Sequence, residues 1–379
     1  MKQRNVLLLI QPAYPERIQG IARFAKSHAW HLTIVDRLSR FPRGWRGDGA
    51  LVTLRGNEKT NRFVRELVDE GIPVVDLTYN HPEIAIPRVS GDHTAFGRLA
   101  RAHYASLNFR HFAWFSTTWS HVHALRCDGF APQMKWVFGR LVHKSQIDDW
   151  PLFIKTLGNL LEAAPKPLAV LTYDDADAAK LLSAALEHGI RVPNDVAIMG
   201  IGNDRVVCEN QAVPLSSVNH DLDANGYEGA KLLNRMMAAP ASDSQPTILI
   251  PPRGIVIRRS TDTLAADDPL LAAALREIAR RLHTSFGIDE LAEALNVSRT
   301  RLDHLFAEKF SRSIGREIMR QRIALARRIL VDTDKPMKEI ASLCGFCNAA
   351  HFTNAFRTAT KLTPTAFRKP SRPLSRSGL

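Results

Sequence analysis

Arg299, Thr300 and Arg301 follow Ser298 directly, with Asp303 and His304 close behind. A similar stretch begins later, with Asn348, Ala349, Ala350 and His351, then Asn354 and Arg357. Arginine can grip the O6/N7 edge of guanine with two hydrogen bonds, asparagine can do the same for adenine, and a threonine methyl can touch the thymine methyl. The chemistry on offer is non-covalent reading of base edges. Other chemistries find less support. Cys344 and Cys347 are spaced C-x-x-C, but no second ligand pair lies near them, so both read as small side chains packed at a turn. His121 and His123 lack a carboxylate or thiol partner for a metal. No H-E-x-x-H, G-x-x-x-x-G-K-[ST] or G-x-G-x-x-G occurs, and no ordered Ser/His/Asp set. Enzyme, metal site and cofactor are therefore not expected.

The base-reading candidates need a scaffold, and the sequence supplies it twice. Ile288–Phe306 and Met337–Phe356 share one pattern, 49–50 residues apart. In the first copy Leu291, Ala292 and Leu295 share a helix face, Asn296-Val297 makes a turn, Ser298 caps the next helix, and Leu302, Leu305 and Phe306 form a buried stripe. In the second copy Ile340, Ala341 and Cys344 take the first helix's buried positions, Gly345 supplies the turn, Phe346 plugs the angle, and Phe352, Ala355 and Phe356 repeat the stripe. Ala292 to Ala341 spans 49 residues but Leu302 to Phe352 spans 50, so the second turn is one residue longer. Each copy reads as a helix-turn-helix whose second helix offers its early residues to a major groove. Between them, Ile314–Val331 reads as a connecting helix about 27 Å long. Arg316, Arg320, Arg322, Arg327, Arg328, Lys338 and Arg357 are candidate phosphate contacts.

Charge agrees with this placement. Residues 298–379 hold 17 Lys and Arg against 6 Asp and Glu, so they carry +11 of the chain's +13. A basic end on a near-neutral body suits a polyanionic partner. Residues 270–368 resemble the DNA-binding domain of AraC/XylS-type transcription regulators. The resemblance rests on Ile340-Ala, Cys344-Gly-Phe, Phe352, Phe356-Arg and the closing Leu362-Thr-Pro-Thr-Ala-Phe-Arg368.

Residues 1–260 alternate apolar runs with helical patterns. Val6–Ile10, Leu32–Val35, Ala50–Leu54, Pro73–Leu77 and Phe112–Phe115 read as strands, with helices over Ile18–Ser27, Asn61–Glu70 and His93–Leu107. A second series follows: strands at Val137–Val142, Leu168–Thr172, Val196–Gly200, Thr247–Pro251 and Gly254–Arg258, with helices over Asp149–Ala163, Asp177–His188 and Leu222–Met237. This rhythm predicts two successive doubly wound parallel sheets, an α/β two-lobed fold with a cleft, followed by an all-α domain with two helix-turn-helix motifs. Residues 261–269 read as a linker and 369–379 as a disordered tail. The apolar run near the start is too short for a signal peptide, no stretch is long enough to span a bilayer, and four cysteines form no disulfide framework. A reducing, cytoplasmic setting without membrane contact is the expectation.

The first 260 residues resemble the periplasmic-binding-protein-like core of LacI/GalR regulators. Gly71-Ile-Pro-Val-Val, Val89-Ser-Gly-Asp92, Arg126-Cys-Asp-Gly-Phe130, Leu171-Thr-Tyr-Asp-Asp175, Val192-Pro-Asn-Asp-Val-Ala-Ile-Met-Gly200 and Pro214-Leu-Ser-Ser217 carry it. Such a core followed by an AraC-type domain is the architecture of xylose-operon regulators. The resemblance implies a sugar or polyol effector between the lobes, xylose first among them, with Asp92, Arg126 and Asp174 as leading ligand contacts. It also implies promoter DNA as partner, a homodimer formed through the N-terminal lobe, and RNA polymerase as a further partner of an activator. One position departs from the pattern. Sugar-binding members place an Asp where this chain has Gly202, within Gly200-Ile-Gly-Asn-Asp204. Asn203 or Asp204 is expected to substitute, and xylose itself is put in question.

Overall fold

A computed structural model describes residues 3–35, 44–55, 58–117, 119–131, 136–137, 148–238, 246–262, 268–310, 313–360 and 362–368. The chain divides into two compact units, Met1–Thr263 and Leu264–Leu379.

The first unit is built on β1 (Arg4–Leu9), β2 (Trp30–Ile34), β3 (Gly49–Val52), β4 (Val74–Asp76), β5 (Arg88–Gly91), β6 (His111–Phe115), β7 (Trp136–Val137), β8 (Leu168–Thr172), β9 (Val196–Gly202), β10 (Ser216–Asn219), β11 (Thr247–Ile250) and β12 (Gly254–Val256). They form two six-stranded sheets, ordered β11-β5-β4-β3-β1-β2 and β12-β10-β9-β8-β6-β7. Pairing is parallel throughout except β10 with β12. Val6 to Leu9 are fully buried, as are Leu168 to Leu171 and Val196 to Met199. Such unbroken apolar runs belong to strands covered on both faces, which is why they do not alternate.

The covering helices are α1 (Pro15–Ser27), α2 (Glu58–Asp69), α3 (His93–Ser106), α4 (His121–Phe130), α5 (Trp150–Ala163), α6 (Asp175–Glu187), the short α7 (Arg205–Glu209) and α8 (Leu222–Ala238). Their starts are chemically marked. Asp92, Ser120, Asp149, Asp174 and Asp204 each accept a backbone N–H of the following first turn, which satisfies donors a helix leaves open.

The two sheets are not successive in sequence, contrary to expectation. Phe112–Phe115, read as closing the first series, lies in β6 of the second sheet. β11, read in the second series, returns to pair with β5, and α8 packs on α1 and the first sheet. Local patterning sees strands but not partners, and the crossovers after β5 and β10 and before β12 are tertiary choices. Of the strand expected over Val137–Val142, Trp136–Val137 is described; residues 138–142 lie outside the described residues. Thr261, read as linker, is instead buried with Ser260 in a single 3-10 turn, where Ser260 Oγ donates to the Ile198 carbonyl oxygen. The tail, 369–379, lies outside the described residues.

The second unit is helical, with no strand among its described residues: α9 (Pro269–Arg281), α10 (Ile288–Ala294), α11 (Arg299–Phe310), α12 (Ile314–Asp332), α13 (Met337–Leu343), α14 (Ala349–Thr360) and α15 (Pro364–Arg368). Leu291, Ala292, Leu302 and Phe306 are buried in one half, and Ile340, Ala341, Cys344, Phe346, Phe352 and Phe356 in the other. α12, 19 residues and about 28 Å long, contributes to both, with Ile314 and Ile318 near its start and Ile323, Ala326 and Leu330 beyond. No described helix is long and apolar enough to cross a membrane.

Candidate ligand cavity and nucleic-acid interface

A cavity of about 260 Å³ opens in the first unit. Its wall is made where strands end: Tyr14 and Arg17 after β1, Arg55 after β3, Tyr173 to Asp175 after β8, Gly202 to Asp204 at β9, and His220 after β10, with Arg126 reaching in from α4. In parallel α/β sheets, loops at the carboxyl ends of strands are where side chains and helix N-termini converge on a ligand. The volume suits one small metabolite; ligand pockets commonly measure roughly 300–1,000 Å³.

Arg126 sits in the wall as expected, and it is buried. Its Nε donates to His93 Nδ1 at 3.1 Å and its Nη1 to the Tyr173 carbonyl oxygen, while its guanidinium lies 4.8 Å from the Tyr173 ring centroid. Accepting at Nδ1 leaves His93 Nε2 to donate to Ser90 Oγ, at 3.1 Å. Burial, then the Arg126 charge, holds His93 well below the ordinary histidine range, so it is a neutral spacer for the guanidinium.

Asp174 also lines the cavity, and it caps α6 by accepting the Asp177 N–H at 2.9 Å. Burial, then the neighbouring Asp177 charge, raises its carboxyl above the usual range. Asp92 is a correction. It is absent from the cavity wall and accepts the Ala95 N–H at 2.9 Å as the cap of α3. Asn203 reaches the wall in a left-handed conformation, φ +60°, but its Oδ1 accepts from Arg258 Nη2 at 3.0 Å.

The vacancy at Gly202 is explained by a residue that the sequence reading passed over. Asp175, 3% exposed, accepts Ser217 Oγ–H at 2.6 Å and the Asp204 N–H at 2.7 Å. A Cβ built on Gly202 would lie 3.1 Å from Asp175 Oδ2, and the residue holds φ +135°. A carboxylate thus already borders this end of β9, supplied from the neighbouring strand end. Burial raises Asp175 to about 6. Tyr14, Arg17, Arg55 and His220 were likewise missed. Their signal was positional, since each follows the carboxyl end of a parallel strand.

In the second unit the two motifs share a turn mechanism. Asn296 (φ +54°) and Gly345 (φ +69°) adopt the left-handed conformation, and Val297 N–H to Ala292 O repeats as Phe346 N–H to Ala341 O. Four residues separate α10 from α11, whereas five, Cys344 to Asn348, separate α13 from α14. Phe346 is buried where Val297 is half-buried. At Gly345 a Cβ would sit 2.5 Å from the Thr284 carbonyl oxygen, so glycine is required for space as well as for φ.

The early residues of α11 and α14 are mostly exposed, but not equally free. Ser298 Oγ accepts the Arg301 N–H as the helix cap. Arg299 lies 3.1 Å from Asp289 and 3.6 Å from Asp303. Arg301 makes no ion pair among the described residues, and Thr300 and His304 are exposed, His304 lying 3.9 Å from Glu308. On α14, Asn348 Oδ1 accepts the His351 N–H at 2.8 Å, so Asn348 acts as the cap. Asn354 and Arg357 are exposed. Three expectations change. Ala349 is half-buried against the phenylalanine core, not free for a base. Cys347 is exposed rather than packed, with its Sγ 3.4 Å from His351 Nδ1. Arg322 is buried and donates to the Thr284 carbonyl oxygen, which removes it from the phosphate candidates, and Arg320 is engaged by buried Glu317. The side chain of Arg328 lies outside the described residues. No group of three or more metal-ligating side chains occurs among the described residues.

Residues 102–261 match a periplasmic binding protein-like domain, and residues 291–370 match a helix-turn-helix domain. The xylose operon regulatory protein of Escherichia coli (strain K12) is 24% identical over 97% of both chains. That of Haemophilus influenzae is 28% identical over 74% of both. The chain is similar to the xylose operon regulators over nearly its whole length. The same architecture appears in the solved structure of the xylose-binding transcription activator XylR, with a TM-score of 0.69, 22% identity, and coverage of 98% of this chain and 99% of that one. In this chain the matched periplasmic binding protein-like range begins after Tyr14, Arg17 and Arg55. The wall therefore includes side chains, Arg17 and Arg55 among them, outside the part that this domain match covers.

Proposed function

We propose that this chain is a sequence-specific transcription regulator whose DNA binding is controlled by a small polyhydroxylated effector held in the first unit's cavity. One observation carries the reading: two helix-turn-helix motifs stand in one helical unit, each with polar early residues exposed on its second helix, in the same chain as a polar cavity at strand ends. The relatives' names make D-xylose the first effector to test, and Gly202 makes its identity the open point. Arg126, Asp174 and Asn203 serve the effector. Arg301, Thr300, His304, His351, Asn354 and Arg357 serve the DNA, with Ser298 and Asn348 fixing the two recognition helices. Promoter DNA is the partner, a homodimer brings two double motifs to one operator, and RNA polymerase is contacted when the protein activates. The setting is cytoplasmic and no catalysis is involved. Effector binding shifts a pre-existing equilibrium between two arrangements that differ in DNA affinity.

The test is a ligand screen on the full chain, with thermal unfolding and DNA affinity as paired readouts. A binding effector at 100 times its Kd adds about 2.7 kcal/mol of stability and changes the Kd for operator DNA. If pentoses, hexoses, polyols and their acids all leave both readouts unmoved, the effector reading is lost.

A further inference from the structure

Two guanidiniums on the cavity wall have only neutral partners. Arg17 is 2% exposed; its Nε donates to Asn225 Oδ1 at 2.8 Å, and its Nη1 has no hydrogen-bond partner. Arg126 is 6% exposed and donates to His93 and to a backbone carbonyl oxygen. Neither makes an ion pair among the described residues. Arg55 adds a third cation to the same wall, hydrogen-bonded to Tyr14.

The acidic groups there are engaged within the fold. Asp174 caps α6, Asp204 caps α7, and Asp175 is held by Ser217 and by the Asp204 N–H. Glu16 lies exposed in the first turn of α1. Burial raises the carboxyls of Asp174 and Asp175 above the usual range. His220, kept neutral by burial and then by Arg126 and Arg17, adds no charge of its own. Asp76 and Asp174 favour the charges of Arg17 and Arg126 without closing to ion pairs, and a buried charge that no ion pair neutralises is unfavourable. A cavity bordered by two such cations, one with an idle N–H, gains most from a ligand that brings an anion. The guanidinium fork matches carboxylate and phosphate oxygens.

We propose that the effector is a polyhydroxylated molecule carrying one acidic group, carboxylate or phosphate, placed against Arg17 with Arg55 and Arg126 beside it. Its hydroxyls fall to the neutral polar groups of the wall. This rests on the cavity being the effector site.

The test is thermal unfolding of the full chain with matched ligand pairs: D-xylose against D-xylonate, D-glucose against D-gluconate, and D-glucose against D-glucose 6-phosphate. Sodium chloride is matched in every sample. The expected result is a rise in Tm with at least one acid and none with its neutral partner; which acid acts separates carboxylate from phosphate. Arg17→Gln is expected to abolish that rise. Arg55→Gln, at an exposed position that spares the fold, is expected to raise the acid's Kd about tenfold, the equivalent of one charge-assisted contact. If a neutral sugar stabilises the chain as well as its acid, the inference is overturned and the effector reading stands. If the acid binds Arg55→Gln and Arg17→Gln as it binds the parent, the inference is also overturned. If no acid and no neutral sugar binds, both fall together.

Discussion

Placing a carboxylate at Gly202, where sugar-binding relatives of this architecture are expected to carry one, should damage this protein rather than improve it. The backbone there holds φ +135°, a region nearly reserved for glycine, and forcing another residue into it costs about 1–3 kcal/mol. The new Cβ would meet Asp175 Oδ2 at 3.1 Å. That carboxylate cannot easily retreat, because Ser217 and the Asp204 N–H hold it. A second carboxylate about 4 Å away adds about 4 kcal/mol of repulsion at an effective dielectric constant near 20, less whatever protonation of one member relieves. Gly202→Ala should therefore cost about 1–3 kcal/mol, and Gly202→Asp about 4–6 kcal/mol at pH 7. The assay is urea unfolding followed by tryptophan fluorescence. All six tryptophans lie in the first 150 residues, so the signal reports the first unit alone. At pH 5, below the value of about 6 for Asp175, the gap between the two variants should shrink. If Gly202→Asp is as stable as Gly202→Ala at pH 7, or if their gap is the same at both pH values, the idea that Asp175 occupies this corner is refuted.

Other outcomes follow from the same geometry. Phe352→Ala empties a fully buried position in the second motif and should cost about 3–5 kcal/mol, read as loss of the second unit's helical circular-dichroism transition while tryptophan fluorescence is unchanged. Arg301→Ala should lose about 1–3 kcal/mol of discrimination for one base pair. Arg299→Ala should lose less, because Arg299 is already paired with Asp289 and Asp303; anisotropy titrations at one fixed salt concentration compare them. Burial raises Asp175 from 3.8 to about 6, so the folded state holds this proton more tightly than the unfolded chain. Its contribution to stability is present below pH 4 and lost as pH rises through about 6, about 3 kcal/mol in all. Asp175→Asn should flatten that limb of the stability profile, and an unchanged profile would remove Asp175 as its source.

Element types were largely legible because the apolar runs are strong. Leu168–Thr172 is a strand over those same residues, and the connecting helix runs from Ile314 to Asp332, one residue beyond its expected end. Sheet membership was not legible. Nothing local in Thr247–Ile250 says that its partner is β5. The helix-turn-helix pairs could be read to the residue because their turns depend on specific types, Asn296 and Gly345, at fixed offsets. The cavity was half legible. Arg126, Asp174 and Asn203 lie on its wall, but Asp92 caps a helix instead, since an Asp before a helix serves either role equally well. Arg17 was passed over because it falls just before the helix expected over Ile18–Ser27, where an arginine reads as solvent-facing; here α1 and α8 enclose it, with Asn225 as partner. Asp175 was hidden by its neighbour, because two adjacent aspartates compete for one cap and only the structure says which is left over.

The two recognition helices differ in their exposed side chains and in the length of their turns, so the unit should read two different sequences. Selection of duplexes from a randomised library by the full chain, repeated with Arg301→Ala, tests this most directly. The expected outcome is an enriched site of two non-identical blocks about 10 base pairs apart, with Arg301→Ala erasing the preference in one block and sparing the other. Enrichment of two identical blocks, or of no sequence at all, would contradict it.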